Sequence, residues 1–248
     1  MNLILATSRG RGLGPIIQRE HPNTRVVTRP GQKYAALANE AKQIIASVKE
    51  KNSEIHVYFL AGFTDLTTMV RKGRYQEVTF TESPQEAVNR VIGEVENAAD
   101  IILTTGAMVC FATIIPGNIE VWNNTRLQQK KTVKLCHTHQ YAIWQQNLNT
   151  AITILNKSIV EINIRNSMQT PRAHKPIITI RKKGKYRFHY NKLSKDGVHA
   201  TLNTNEDIAK EISKAIAKNR GSFEHEQDRK IPPSDSEPDS PKRSWRTY

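Results

Sequence analysis

Three residues of this chain have the types and spacing that acyl-transfer chemistry needs: Ser8, Asp196 and His199. In Asp196-Gly197-Val198-His199 a carboxylate and an imidazole stand three residues apart, near enough to share one turn. There the carboxylate can fix the imidazole tautomer while the other ring nitrogen faces a nucleophile. Ser8 sits in Thr7-Ser8-Arg9-Gly10, directly after the apolar run Asn2-Leu3-Ile4-Leu5-Ala6. A serine at the tip of the first strand of an α/β sheet stands where such sheets bind ligands. Each residue also has a plain structural reading. Ser8 suits the cap of a first helical turn near Leu13. Asp196 suits an Asx turn before Gly197, and His199 a satisfied, half-buried histidine.

The elements needed to bring these residues together can be read from periodicity. Residues 2–7 and 25–28 read as strands, the second ending in the turn signal Arg29-Pro30-Gly31. From Tyr34 to Lys49 the apolar positions follow the 3.6-residue period of an amphipathic helix. Ile55 to Ala61 is a third strand, and Ser83-Pro84 caps a helix near 84–98. Ile101–Leu103 and Met108–Ile115 are apolar and β-branched, and the second is expected as a central strand ending at Pro116-Gly117. A helix from Tyr141 to about Leu155, a strand at Val160–Ile164 and a hairpin of Ile177–Ile180 with Tyr186–Tyr190 follow. Asn205 to Lys218 closes the domain as a helix. The alternation implies an α/β fold, a three-layer sandwich with a mostly parallel central sheet.

Composition narrows the classes. Mean hydropathy is −0.57, and no apolar run reaches the roughly 18 residues that span a bilayer. With no leader-like N-terminus, the expected location is cytoplasmic or nuclear. Cys110 and Cys136 do not form a disulfide framework. Cys136-His137-Thr138-His139 has metal-ligand types but no second cluster to complete four ligands. Gly10-x-Gly12-x-Gly14 falls short of the dinucleotide fingerprint. No cofactor or metal is expected. Arg9 and Arg11 read as a solvated loop.

The net charge of +14 is local. Residues 126–195 hold fifteen Lys/Arg and one acid, Glu161, while the remainder is neutral. Such a field attracts RNA, DNA or other polyanions, although a solvated basic face would look the same. Arg181, Lys182, Lys183, Lys185 and Arg187, interleaved with Tyr186 and Phe188, are the candidate nucleic-acid contacts. From 219 the chain turns polar. Residues 219–248 are expected to be a disordered, charged, Ser/Pro-rich tail behind a domain at 1–218.

Over residues 1–218 the chain resembles the SGNH (GDSL-type) hydrolases, a family of esterases, lipases and deacetylases. Four blocks fall in the family's order. They are Ala6-Thr7-Ser8 after strand one, Pro30-Gly31 after strand two, Leu60-Ala61-Gly62-Phe63-Thr64-Asp65 after strand three, and Asp196-Gly197-Val198-His199-Ala200-Thr201 before the last helix. Gln146-Asn147-Leu148-Asn149-Thr150, with Asn156, resembles the family's helix before the last strands. The resemblance implies an acyl-ester substrate, Ser8 as nucleophile, His199 as base and Asp196 as its orienter. It also implies an oxyanion hole from the backbone N–H groups of Ser8 and Gly31 and the side chain at 64. The family has Asn there, and Thr64 lacks the amide. Losing one such donor costs about 3 kcal/mol, so the resemblance admits weakened or lost catalysis. Nucleic-acid binding, or a structural role in a virus or retroelement, is then the alternative.

Overall fold

The structure is a computed structural model that describes residues 1–48, 54–72, 75–128 and 138–228. Its centre is a four-stranded parallel sheet of β1 (Asn2–Ala6), β2 (Thr24–Thr28), β3 (His56–Leu60) and β6 (Met108–Phe111), in the order β2-β1-β3-β6. Ala6 pairs with Thr28 on one side and Leu60 on the other. The loops after β1, β2 and β3 therefore leave the sheet at one level, and they carry Ser8, Gly31 and Thr64.

Side chains alternate across these strands, so each strand feeds two cores. Leu3, Leu5, Val57, Phe59, Val109 and Phe111 face one core, built with α2 (Tyr34–Val48), α4 (Pro84–Leu103) and α6 (Thr138–Arg165). Ile4, Ala6, Tyr58, Leu60 and Cys110 face the other, covered by α1 (Leu13–Glu20) and α7 (Leu202–Asp228). Burial on both faces is why the strands read as continuous apolar runs. The result is the expected three-layer α/β sandwich. α4 begins as the sequence signals, with a complete capping box between Ser83 and Glu86 and Pro84 as its first residue.

Two further pairs of strands stand apart from the sheet. β4 (Thr68–Lys72) and β5 (Tyr75–Thr79) form an antiparallel hairpin that the periodicity does not reveal. β7 (Ile178–Ile180) and β8 (Tyr186–Phe188) form the anticipated hairpin. The short helices α3 (Phe63–Leu66) and α5 (Ile119–Gln128) complete the order.

Several expectations change. Ile101–Leu103 is the last turn of α4. β6 is an edge strand of the described sheet, not a central one. Val160–Ile164 lies inside α6, where Leu155, Ile159 and Ile162 bury one helical stripe. The β-branched content of that run is overridden by tertiary packing. The same helix closes the open edge of β6 with side-chain amides. Asn163 accepts from Phe111 N–H (2.9 Å) and donates to Phe111 C=O (2.7 Å). Asn156 does the same to Ile114 at 2.6 and 3.2 Å. Two asparagines seven residues apart on one face thus take the place of a neighbouring strand. Finally, α7 continues through Asp228, ten residues beyond the expected boundary at 218. Residues 219–228 are therefore helical. The rest of the proposed tail lies outside the described residues.

Candidate active site

Ser8 opens a 3₁₀ turn, Ser8–Gly10, at the end of β1. Thr7 N–H donates to Leu60 C=O at 3.2 Å, and Gly10 N–H closes the turn on Thr7 C=O at 2.9 Å. A Cβ on Gly10 would lie 2.3 Å from the Ala6 Cβ, so only glycine lets the chain fold back this tightly. Ser8 is half-buried and does not cap α1, whose N-cap position is held by Gly12 with no side-chain hydrogen bond.

Asp196 and His199 belong to a closed loop between Leu193 and Ala200, which are themselves bridged. Ser194 N–H donates to His199 C=O at 2.7 Å. Asp196 divides its two oxygens between two tasks. Oδ1 accepts from Ser194 Oγ (2.6 Å), Val198 N–H (2.9 Å) and His199 N–H (3.0 Å), which builds the Asx turn. Oδ2 takes His199 Nδ1 at 2.6 Å. The same carboxylate thus closes the turn and holds the His199 ring. Burial raises its proton affinity, but the hydrogen bonds from Ser194, His199 and the backbone outweigh burial and hold it well below the usual carboxylate range. It is therefore an anion at neutral pH. Gly197 at φ +73° carries the bend, and a Cβ there would meet the Asn118 carbonyl and Val121 at 2.8 Å. Its own carbonyl accepts from Asn118 N–H at 2.7 Å, which docks the loop on the start of α5.

With Nδ1 tied to Asp196, His199 presents Nε2, which is shielded from solvent and has no hydrogen-bond partner. Ser8 and His199 line the same cavity, of about 560 Å³. No hydrogen bond closes between them. The cavity also takes in Gly31 and Thr64, so every residue singled out for catalysis and for the oxyanion hole, apart from the supporting Asp196, reaches one space. Among the described residues the N–H groups of Ser8 and Gly31 donate to nothing. Thr64 behaves differently from the family's asparagine. Its hydroxyl donates to Gln32 C=O at 2.8 Å, so its one proton ties the third loop to the second rather than pointing into the cavity.

Further contributors were not singled out from the sequence. Arg9 is not a solvated loop residue: it is 6% exposed, donates to Ile115 C=O and lies 3.7 Å over the Phe63 ring. Burial lowers its pKa to about 9, while Asp196 and Tyr190 act the other way. No spacing rule marks a buried arginine in a glycine-rich run. The β4–β5 hairpin brings Thr68, Met69 and Val78 to the cavity wall, and Trp122 from α5 joins them. Ser194, two residues before Asp196, was the one signal available locally.

The expected nucleic-acid contacts lie elsewhere. Arg181, Lys182, Lys185 and Arg187 are exposed on the β7–β8 hairpin and none lines this cavity. The side chain of Lys183, and Cys136 and His137 of the weighed metal cluster, lie outside the described residues. No helix of the described residues is long and apolar enough to cross a membrane.

No family model and no curated protein sequence matches the chain. Solved structures do. A GDSL-like lipase from Bacteroides thetaiotaomicron superposes with a TM-score of 0.51 at 13% identity, over 90% of this chain and 88% of the other. A member of the lipolytic G-D-S-L family from Veillonella parvula gives 0.51 at 10% identity, over 88% and 98%. At such identities the likeness speaks for architecture alone, and it covers nearly the whole of both chains. The chain has the SGNH (GDSL) hydrolase fold.

Proposed function

We propose that this protein hydrolyses acyl esters with Ser8 as nucleophile. The observation that carries the reading is His199 itself, with Nδ1 bound to an ionised Asp196 at 2.6 Å and Nε2 shielded and unpartnered in the cavity that Ser8 lines. That tautomer makes Nε2 a proton acceptor. Ser8 Oγ attacks the carbonyl carbon as its proton passes to His199 Nε2. The tetrahedral oxyanion is met by the free N–H groups of Ser8 and Gly31. Collapse expels the alcohol, protonated by His199, and water repeats the sequence to release the acid. With two backbone donors and no side-chain amide, turnover is slow. The missing donor is worth a factor of about 100 to 1000. The test is hydrolysis of 4-nitrophenyl hexanoate by the full chain and by Ser8→Ala. Loss of activity in the variant supports the reading, and full retention refutes it.

A second function rests on the β7–β8 hairpin, whose cations Arg181, Lys182, Lys185 and Arg187 are exposed and make no ion pair among the described residues. We propose that it binds polyanions. RNA titrated at several salt concentrations should show a log–log slope that steepens by roughly 0.7 per neutralised phosphate. Replacing Arg181, Lys182, Lys183 and Lys185 with Gln should flatten that slope, and an unchanged slope would leave the hairpin as a solvated face.

A further inference from the structure

The lining of the catalytic cavity is one-sided in charge. Arg9, Arg11 and Lys33 contribute to it, and no carboxylate does. The three differ in kind. Arg9 is buried and already engaged with Ile115 and Phe63. Arg11 and Lys33 are exposed, and among the described residues their side chains make neither a hydrogen bond nor an ion pair, although the Lys33 charge acts on the buried Asp65 carboxyl. Arg11 lies three residues after the nucleophile, and Lys33 lies two after the oxyanion residue Gly31. Asp196 is occupied by its own loop and by His199, and Asp65 is buried beneath the third loop against Tyr34 N–H. The lining also includes the apolar side chains of Phe63, Met69, Val78, Trp122 and Val198.

We infer that the cavity selects acyl esters that carry an anionic group, a carboxylate or phosphate held between Arg11 and Lys33, with an apolar portion against Met69, Val78 and Trp122. This rests on the hydrolase reading and narrows it to a substrate class. Two exposed cations lining a cavity with apolar walls raise the local concentration of an anionic substrate and hold it beside Ser8. A cationic ester meets the same field as repulsion.

Three esters of one acyl length test it. They are 4-nitrophenyl hexanoate, mono(4-nitrophenyl) adipate with the anion on the acyl half, and 4-nitro-3-(hexanoyloxy)benzoate with the anion on the alcohol half. At low salt kcat/KM should favour one anionic ester over the neutral one by about fivefold to tenfold, the scale of one partly screened charge pair. The favoured ester tells which half carries the charge. The preference should vanish in Arg11→Gln/Lys33→Gln and survive in Arg19→Gln/Lys42→Gln, which removes as much charge elsewhere. Equal kcat/KM for all three esters overturns the inference while leaving the hydrolase intact. If no ester is turned over faster than by Ser8→Ala, the hydrolase reading falls and the cavity is judged by binding. Calorimetry with hexyl phosphate and hexanol then decides. Tighter hexyl phosphate binding, lost in Arg11→Gln/Lys33→Gln, supports the anion site, and equal or absent binding overturns it.

Discussion

The Arg9 guanidinium lies 3.7 Å from the centroid of the Phe63 ring and donates to the Ile115 carbonyl, so the neighbour of Ser8 ties the loops after β3 and β6 together. A buried cation on an aromatic face gains electrostatically from the ring. Its removal strands a buried carbonyl, a loss of about 1 to 3 kcal/mol.

Arg9→Met should therefore lower unfolding free energy by about 2 kcal/mol in urea titration. Its methylene stem still covers Phe63, so the loss reports the charge and the hydrogen bond rather than the packing. A variant as stable as the parent would show that Arg9 is a passenger.

Asp196→Asn separates the two tasks of that residue. The amide oxygen can still accept from Ser194, Val198 and His199 N–H, so the turn survives. The amide nitrogen facing Nδ1 reverses the imidazole tautomer and places a proton on Nε2. Activity should fall by about 10⁴ while the melting temperature changes little. Asp196→Ala should lose both. Equal thermal loss in the two variants would show that the carboxylate serves the turn alone.

Thr64→Asn sets two effects against each other. It breaks the hydroxyl bond to Gln32 C=O, worth about 1 kcal/mol. It supplies an amide toward the oxyanion, worth about 3 kcal/mol in the transition state. The larger should win, and ester turnover should rise by at least about tenfold. Thr64→Val loses the bond and gains no donor, so it should fall below the parent. The same rate from both variants would remove position 64 from the oxyanion hole.

Asp65 gives a pH dependence with a definite sign. Burial raises its carboxyl from 3.8 to about 6, against the Tyr34 N–H bond and Lys33, which lower it. The native state thus holds this proton more tightly than the unfolded chain. Its contribution to stability is complete below about pH 4 and is lost as pH rises through about 6. In Asp65→Asn the oxygen still accepts from Tyr34 N–H, but nothing titrates. Between pH 4 and 7 the wild type should lose on the order of 2 kcal/mol relative to the variant. Parallel stability profiles would contradict this.

The sequence by itself determined the α/β class, the first three strands, the main helices and the members of the candidate triad. Buried strands read as short apolar runs, amphipathic helices keep a 3.6-residue stripe, and the Asp196–His199 turn is local. Tertiary structure decided what depends on partners far along the chain. Val160–Ile164 became helix because Asn156 and Asn163 are needed seven residues apart to close the β6 edge. Arg9 went inside because Ile115 and Phe63, more than fifty residues away, receive it there. The cavity wall came from a hairpin whose short strands hold no sustained alternation. Thr64 turned its hydroxyl to Gln32 because the two loops meet only once β1 has set them side by side. Periodicity reports the burial of one element against an unspecified core. The identity of the atom across a loop contact is fixed only when the strands have paired.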